Sequence, residues 1–204
     1  MKILLKVQLA LCFAGLTALA AEPGAQFFEN DQVKVFRALE RAHVKAKFHE
    51  HKINRVMVYI QDGKQHFDFQ DGRPGLDVVW KAGQLEWSKP EGMHQPEVTD
   101  DNSFNIIEVE LKKPGTAKAA QVSDATKADK KNSKVELDND QVRILRVKLA
   151  PHAKGGKVTR TGNAVVAYIS GAKANQAEWV TAGASQLENT GDQAMEAIVV
   201  ELKN

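Results

Sequence analysis

Two stretches of this chain repeat one another. Residues 28–39 read FENDQVKVFRAL and residues 137–149 read LDNDQVRILRVKL. Residues 106–112, IIEVELK, return as residues 197–203, AIVVELK. In between, His43 precedes Tyr59 by the same interval that separates His152 from Tyr168. A repeat this long means two copies of one structural unit, stacked to bury what neither buries alone. It also supplies an internal control. Where one copy holds a polar residue and the other an apolar one, folding does not explain the difference and chemistry does.

The copies read as all-β. Short runs rich in Val, Ile and Leu recur at 33–38, 56–60, 76–80, 106–111, 142–149, 164–169 and 197–202. Asp62-Gly63, Asp71-Gly72-Arg73-Pro74-Gly75 and Lys89-Pro90-Glu91-Gly92 punctuate them. Such spacing of strands and turns predicts a sandwich or barrel. Charges between Val109 and Leu111 predict a strand at 104–112 with one wet face. Neither copy carries an amphipathic helical stretch.

The first residues belong to targeting rather than to the fold. Lys2 and Lys6 precede an apolar run that ends in Ala18-Leu19-Ala20, the pattern of a secretory signal peptide over residues 1–20. The only cysteine, Cys12, leaves with it, so the mature chain has no disulfide and relies on packing. Lys2 and Lys6 leave too, which takes 28 basic against 26 acidic residues to 26 against 26. A neutral chain argues against nucleic acid, whose phosphates demand a basic face. It gives equally little reason to expect binding to anionic lipid. A periplasmic or secreted location follows, with no membrane contact after cleavage.

Residues 113–134, KPGTAKAAQVSDATKADKKNSK, hold almost no large apolar side chain. Such a segment buries too little to offset its ordering entropy and reads as a flexible linker. It divides the mature chain into a first domain at 25–112 and a second at 135–204. A unit as short as the second buries only about 60% of its unfolded surface. It is therefore expected to lean on the first.

The chemistry-bearing residues lie in the first copy. His49-Glu50-His51 precedes the run at 56–60. Residues two apart on a strand point the same way, so both imidazoles can face one interior. His94 follows the turn at Glu91-Gly92 and offers a third. These residues and their glycines resemble the cupin superfamily, small jelly-roll β-barrels. Its first motif places His-x-His before a Glu and a closing Gly; its second runs Gly, Pro-x-Gly, His, Asn. His49, His51 and Gly63 match the first motif, and Gly83, Pro90, Gly92 and His94 the second. The second copy keeps the phrase Glu188-Asn189-Thr190-Gly191-Asp192, so the whole mature chain resembles a bicupin.

That resemblance implies two tandem jelly-roll barrels. His49, His51 and His94 would be ligands for one divalent transition metal (Fe, Zn, Cu or Ni) in the first. In the second, Val158, Arg160 and Ser185 stand at the three ligand positions, so no metal is expected there. The family's Glu falls at Arg55 or Val56. A guanidinium about 4 Å from a divalent ion is repelled by roughly 8 kcal/mol at an effective dielectric near 20. A metal in the first cup therefore requires Arg55 to point outward or to lie beyond the ligands, where it would bind an anionic substrate. The other reading of the histidines is an inherited cluster that hydrogen-bonds inside the cup without metal. His43, His152 and His66 read as surface residues; Trp80, Trp87 and Trp179 as core. No acidic residue stands where a carboxylate dyad is expected. Three functions follow: a small-molecule or metal-binding module, a metal-dependent dioxygenase or isomerase, and a dimerising scaffold without chemistry.

Overall fold

A computed structural model describes residues 25–116 and 129–203; the expected signal peptide at 1–20 and residues 117–128 of the expected linker lie outside the described residues. The described residues form fifteen strands and no helix. The first half holds β1 (Gln26–Glu29), β2 (Val33–Glu40), β3 (Arg55–Tyr59), β4 (Gly63–Phe69), β5 (Leu76–Trp80), β6 (Leu85–Ser88), β7 (His94–Val98) and β8 (Phe104–Leu111). The second holds β9 (Ser133–Asp138), β10 (Val142–Leu149), β11 (Val158–Arg160), β12 (Ala164–Ser170), β13 (Gln176–Val180), β14 (Gly183–Ser185) and β15 (Met195–Leu202). All runs expected from sequence are strands. The eight strands outside those runs are short or polar: β1, β4, β6, β7, β9, β11, β13 and β14.

The repeated sequence makes a repeated sheet. One five-stranded sheet runs β1-β2-β8-β3-β6, the other β9-β10-β15-β12-β13, both antiparallel. The two sheets share one apolar core. Val33, Val35, Val56, Val58, Ile107 and Val109 from the first meet Val142, Ile144, Val165, Ala167, Ile198 and Val200 from the second. Trp87 and Trp179 pack against that shared core rather than inside a barrel. Each fully buried aliphatic side chain there is worth about 1.5–3 kcal/mol.

This packing corrects the reading of one wet face on β8. Almost every residue of β8 is buried. Ile107 and Val109 enter the shared core while Ile106 and Glu108 line a cavity on the opposite side. Glu108 faces that cavity rather than solvent, while Glu110 is half-buried and does not line it.

The halves differ in one wall. In the first, β5-β4-β7 forms a three-stranded sheet across from the large sheet. In the second, β12 turns directly into β13, and only the two-stranded ribbon β11-β14 stands opposite. The β4–β5 hairpin gives the first half room for a cavity of about 190 Å³; the second has one of about 20 Å³. Leu145, Val147, Leu149, Val166 and Tyr168 fill the second interior. At the near end of the linker Thr116 donates its N–H to Lys203 O. At the far end the Asp129 carboxylate accepts from the Gly156 N–H and the Asn132 side chain.

Candidate metal centre

The imidazoles at 49, 51 and 94 come together at the first cavity. His49 and His94 face each other in an isolated antiparallel bridge, each N–H donating to the other's carbonyl. The same bridge in the second half is Val158 opposite Ser185 in the β11–β14 ladder. The strand pairing thus reproduces the alignment read from the repeat. Gly92 has φ +82°, a conformation that favours glycine, and so turns the chain into β7 just before His94.

One nitrogen from each ring lies within 4.8 Å of the other two. His49 Nδ1 donates to Lys47 O at 2.9 Å and His94 Nδ1 donates to Gly92 O at 3.1 Å. Both rings therefore carry a proton on Nδ1, which leaves Nε2 as the atom each could offer a metal. A backbone acceptor on the far nitrogen is the usual orienting partner of a metal-bound imidazole.

His51 is held differently. Arg55 Nη1 sits 2.7 Å from His51 Nε2 and 2.7 Å from Glu108 Oε2. A guanidinium only donates, so His51 accepts with Nε2 and is neutral. Burial pushes its pKa down to about 3, helped by the charge of Arg55 and by the neighbouring rings of His49 and His94. Burial also lowers His94. Arg55 consequently points inward and lies against a ligand nitrogen, neither outward nor beyond the ligands as a metal in this cup is expected to require. Its Nε is buried without a partner.

The sequence marks no place for a carboxylate dyad, yet the cavity gathers acidic residues. Glu40, Glu86 and Glu108 all line the cavity. Glu40 accepts from Gln65 Nε2 at 3.0 Å, and Gln65 accepts in turn from Trp80 Nε1 at 2.8 Å. Burial, reinforced by Glu108, pushes Glu40 up to about 7. Burial raises Glu108 and Glu86 as well, against the pull of Arg55. The repeat held the signal for these groups. Glu40 aligns with Leu149, Arg55 with Ala164 and Glu108 with Val199.

The other histidines keep to the surface. His43 and His152 adopt the same φ of 56°, and each lies 2.9 Å from an exposed carboxylate, Asp101 and Asp192. His66 contacts Asp77 at 2.6 Å. In the second half Arg160 points inward from the His51 position, binding Glu201 at 2.9 Å and Ser185 Oγ. A cation occupies the place of the ligands there.

Three imidazoles, two of them oriented by carbonyls, are a donor set suited to zinc, copper, nickel or ferrous iron. The residues present could hold such an ion, provided that Arg55 gives up His51 Nε2. A metal at this point would supply Lewis acidity and an open position for water or ligand.

No known family model matches the chain, and no curated protein matches it in sequence. Solved structures do match. AerE from Microcystis aeruginosa is similar at a TM-score of 0.57 with 8% identity, covering 89% of this chain and 98% of that one. Oxalate decarboxylase of Bacillus subtilis, described for its Mn(II) centres, is similar at a TM-score of 0.58 with 10% identity, covering 86% and 70%. A cupin domain from Bordetella pertussis covers 45% of this chain and 96% of its own at 21% identity, with a TM-score of 0.40. At such identities the likeness to AerE and oxalate decarboxylase is one of fold alone, and the chain is an all-β protein of jelly-roll architecture.

Proposed function

We propose that the protein is a secreted or periplasmic tandem cupin whose first cup binds a divalent transition metal and, beside it, a small organic ligand. The second cup has lost its ligands and serves as scaffold. One observation carries this reading. His49, His51 and His94 meet in a cavity of about 190 Å³, while their counterparts Val158, Arg160 and Ser185 line one of about 20 Å³. The manganese of the oxalate decarboxylase neighbour makes Mn(II) worth testing beside iron, zinc, copper and nickel.

Metal content of the purified protein, and titration of the apoprotein with each ion, test it. One ion per chain is expected, lost in His49→Ala and in His94→Ala variants that remain folded. Absence of binding by every ion under anaerobic conditions would remove the metal from the proposal.

A second reading, a metal-dependent dioxygenase or isomerase, is favoured by Glu40. A carboxyl near pKa 7 inside a cavity is about half protonated at neutral pH and suits general acid–base work. Turnover of a candidate substrate would be lost in Glu40→Gln while one metal per chain stayed bound.

A further inference from the structure

Arg55 stands where a metal would need one of its three ligands. Its Nη1 is 2.7 Å from His51 Nε2, the atom His51 would offer, and its side chain is only 10% exposed. Glu108, 8% exposed, fixes the guanidinium there from the other side. His49 and His94 have no such occupant: both are pinned at Nδ1 by carbonyls, which leaves Nε2 as the atom each could offer a metal. The second half builds the same strands with Ala164 and Val199 at these two positions, so the fold does not need the Arg55–Glu108 pair. Nor does catalytic geometry explain it, because it blocks one of the three rings of its own site.

We propose that Arg55 is a built-in competitor for the metal. In the metal-free cup it holds the His51 lone pair. An arriving ion displaces it, and Glu108, with Glu40 within electrostatic reach, retains the released guanidinium inside the cup. The three histidines then bind less tightly than an unobstructed set, and loading answers to metal concentration over a higher range. The Nη1–H released from His51 becomes a donor that only the metal-bound cup presents. This rests on the metal-binding reading above.

The test is zinc affinity, measured by competition with a chromophoric chelator, in wild type and in Arg55→Ala/Glu108→Val. That double variant carries the pair the second half already tolerates, and it removes one positive and one negative charge together. Any change therefore reports the removal of the guanidinium from beside His51, by contact and by charge, at constant net charge of the cup. The variant is expected to bind zinc about tenfold more tightly or better, the size of effect that groups around a ligand exert. Histidine nitrogen NMR of metal-free wild type is expected to find His51 neutral, with Nε2 accepting a hydrogen bond that disappears on titration with zinc. Equal or weaker zinc binding by the folded variant, with wild type binding normally, overturns the role of Arg55 and leaves the metal site standing. Failure of both proteins to bind zinc and each of the other ions overturns the two proposals together.

Discussion

Asn54 Nδ2 donates to Gln141 Oε1 at 2.7 Å, across the boundary between the halves. Asn163 Nδ2 donates to Gln32 Oε1 at the same distance. In the repeat, Asn54 corresponds to Asn163 and Gln32 to Gln141, so one bond is made twice in opposite directions. The two sheets therefore meet about an approximate twofold axis, with their shared aliphatic core between them.

That shared core predicts joint unfolding. Ile107 and Ile198 hold equivalent positions in it, each fully buried. Ile107→Ala and Ile198→Ala are each expected to cost about 2–5 kcal/mol. Urea denaturation should follow one transition in both variants. Two separate transitions, only one of them shifted, would contradict a common core.

The Arg55–Glu108 pair predicts a non-additive result. Removing one member strands a buried charge, so Arg55→Ala alone is expected to destabilise by about 3–5 kcal/mol. Arg55→Ala/Glu108→Val should recover most of that loss. Denaturation midpoints of the single and double variants check it; a double variant as unstable as the single would contradict the pairing.

Glu40 predicts a pH dependence with a definite sign. Its carboxyl rises from the ordinary value of 4.5 to about 7 on folding, so between those values the folded chain binds the extra proton. Stability from this group accordingly falls as pH rises through that window. The penalty is complete above pH 7 and reaches up to about 3 kcal/mol. Glu40→Gln should be more stable than wild type at pH 8 and lose that advantage at pH 4. A pH-independent difference between the two would show that Glu40 does not titrate in this window.

Gly63 predicts overpacking. A Cβ there would stand 2.3 Å from the ring of Phe104, which is completely buried. Gly63→Ala is expected to cost about 1–3 kcal/mol in thermal or urea unfolding. Adding Phe104→Leu should reduce the extra cost of the alanine, since it removes the ring that the Cβ meets.

The repeat and the Val- and Ile-rich runs were enough to read the all-β class, the main strands and the equivalence of the halves. Strand periodicity is local: alternate side chains share a face wherever the strand lies. His49 and His51 could be placed together for that reason, and His94 joined them through the motif. The copies even marked Glu40 and Glu108, each against an aliphatic partner, yet nothing local said that these residues turn inward.

What lies on the other side of a sheet is decided only in three dimensions. Glu108 on β8 looks solvent-facing in sequence because alternation cannot distinguish water from a cavity. The packed second sheet and the β4–β5 wall make that distinction. Arg55 is the sharpest case. Its sequence position put it near the ligands, but its direction depended on Glu108, more than fifty residues away, which a burial cost and an ion pair hold beside it. Sequence thus determined the strands and the donors. Tertiary structure decided which of those donors is free, because an unpaired buried charge is too costly to leave without a partner.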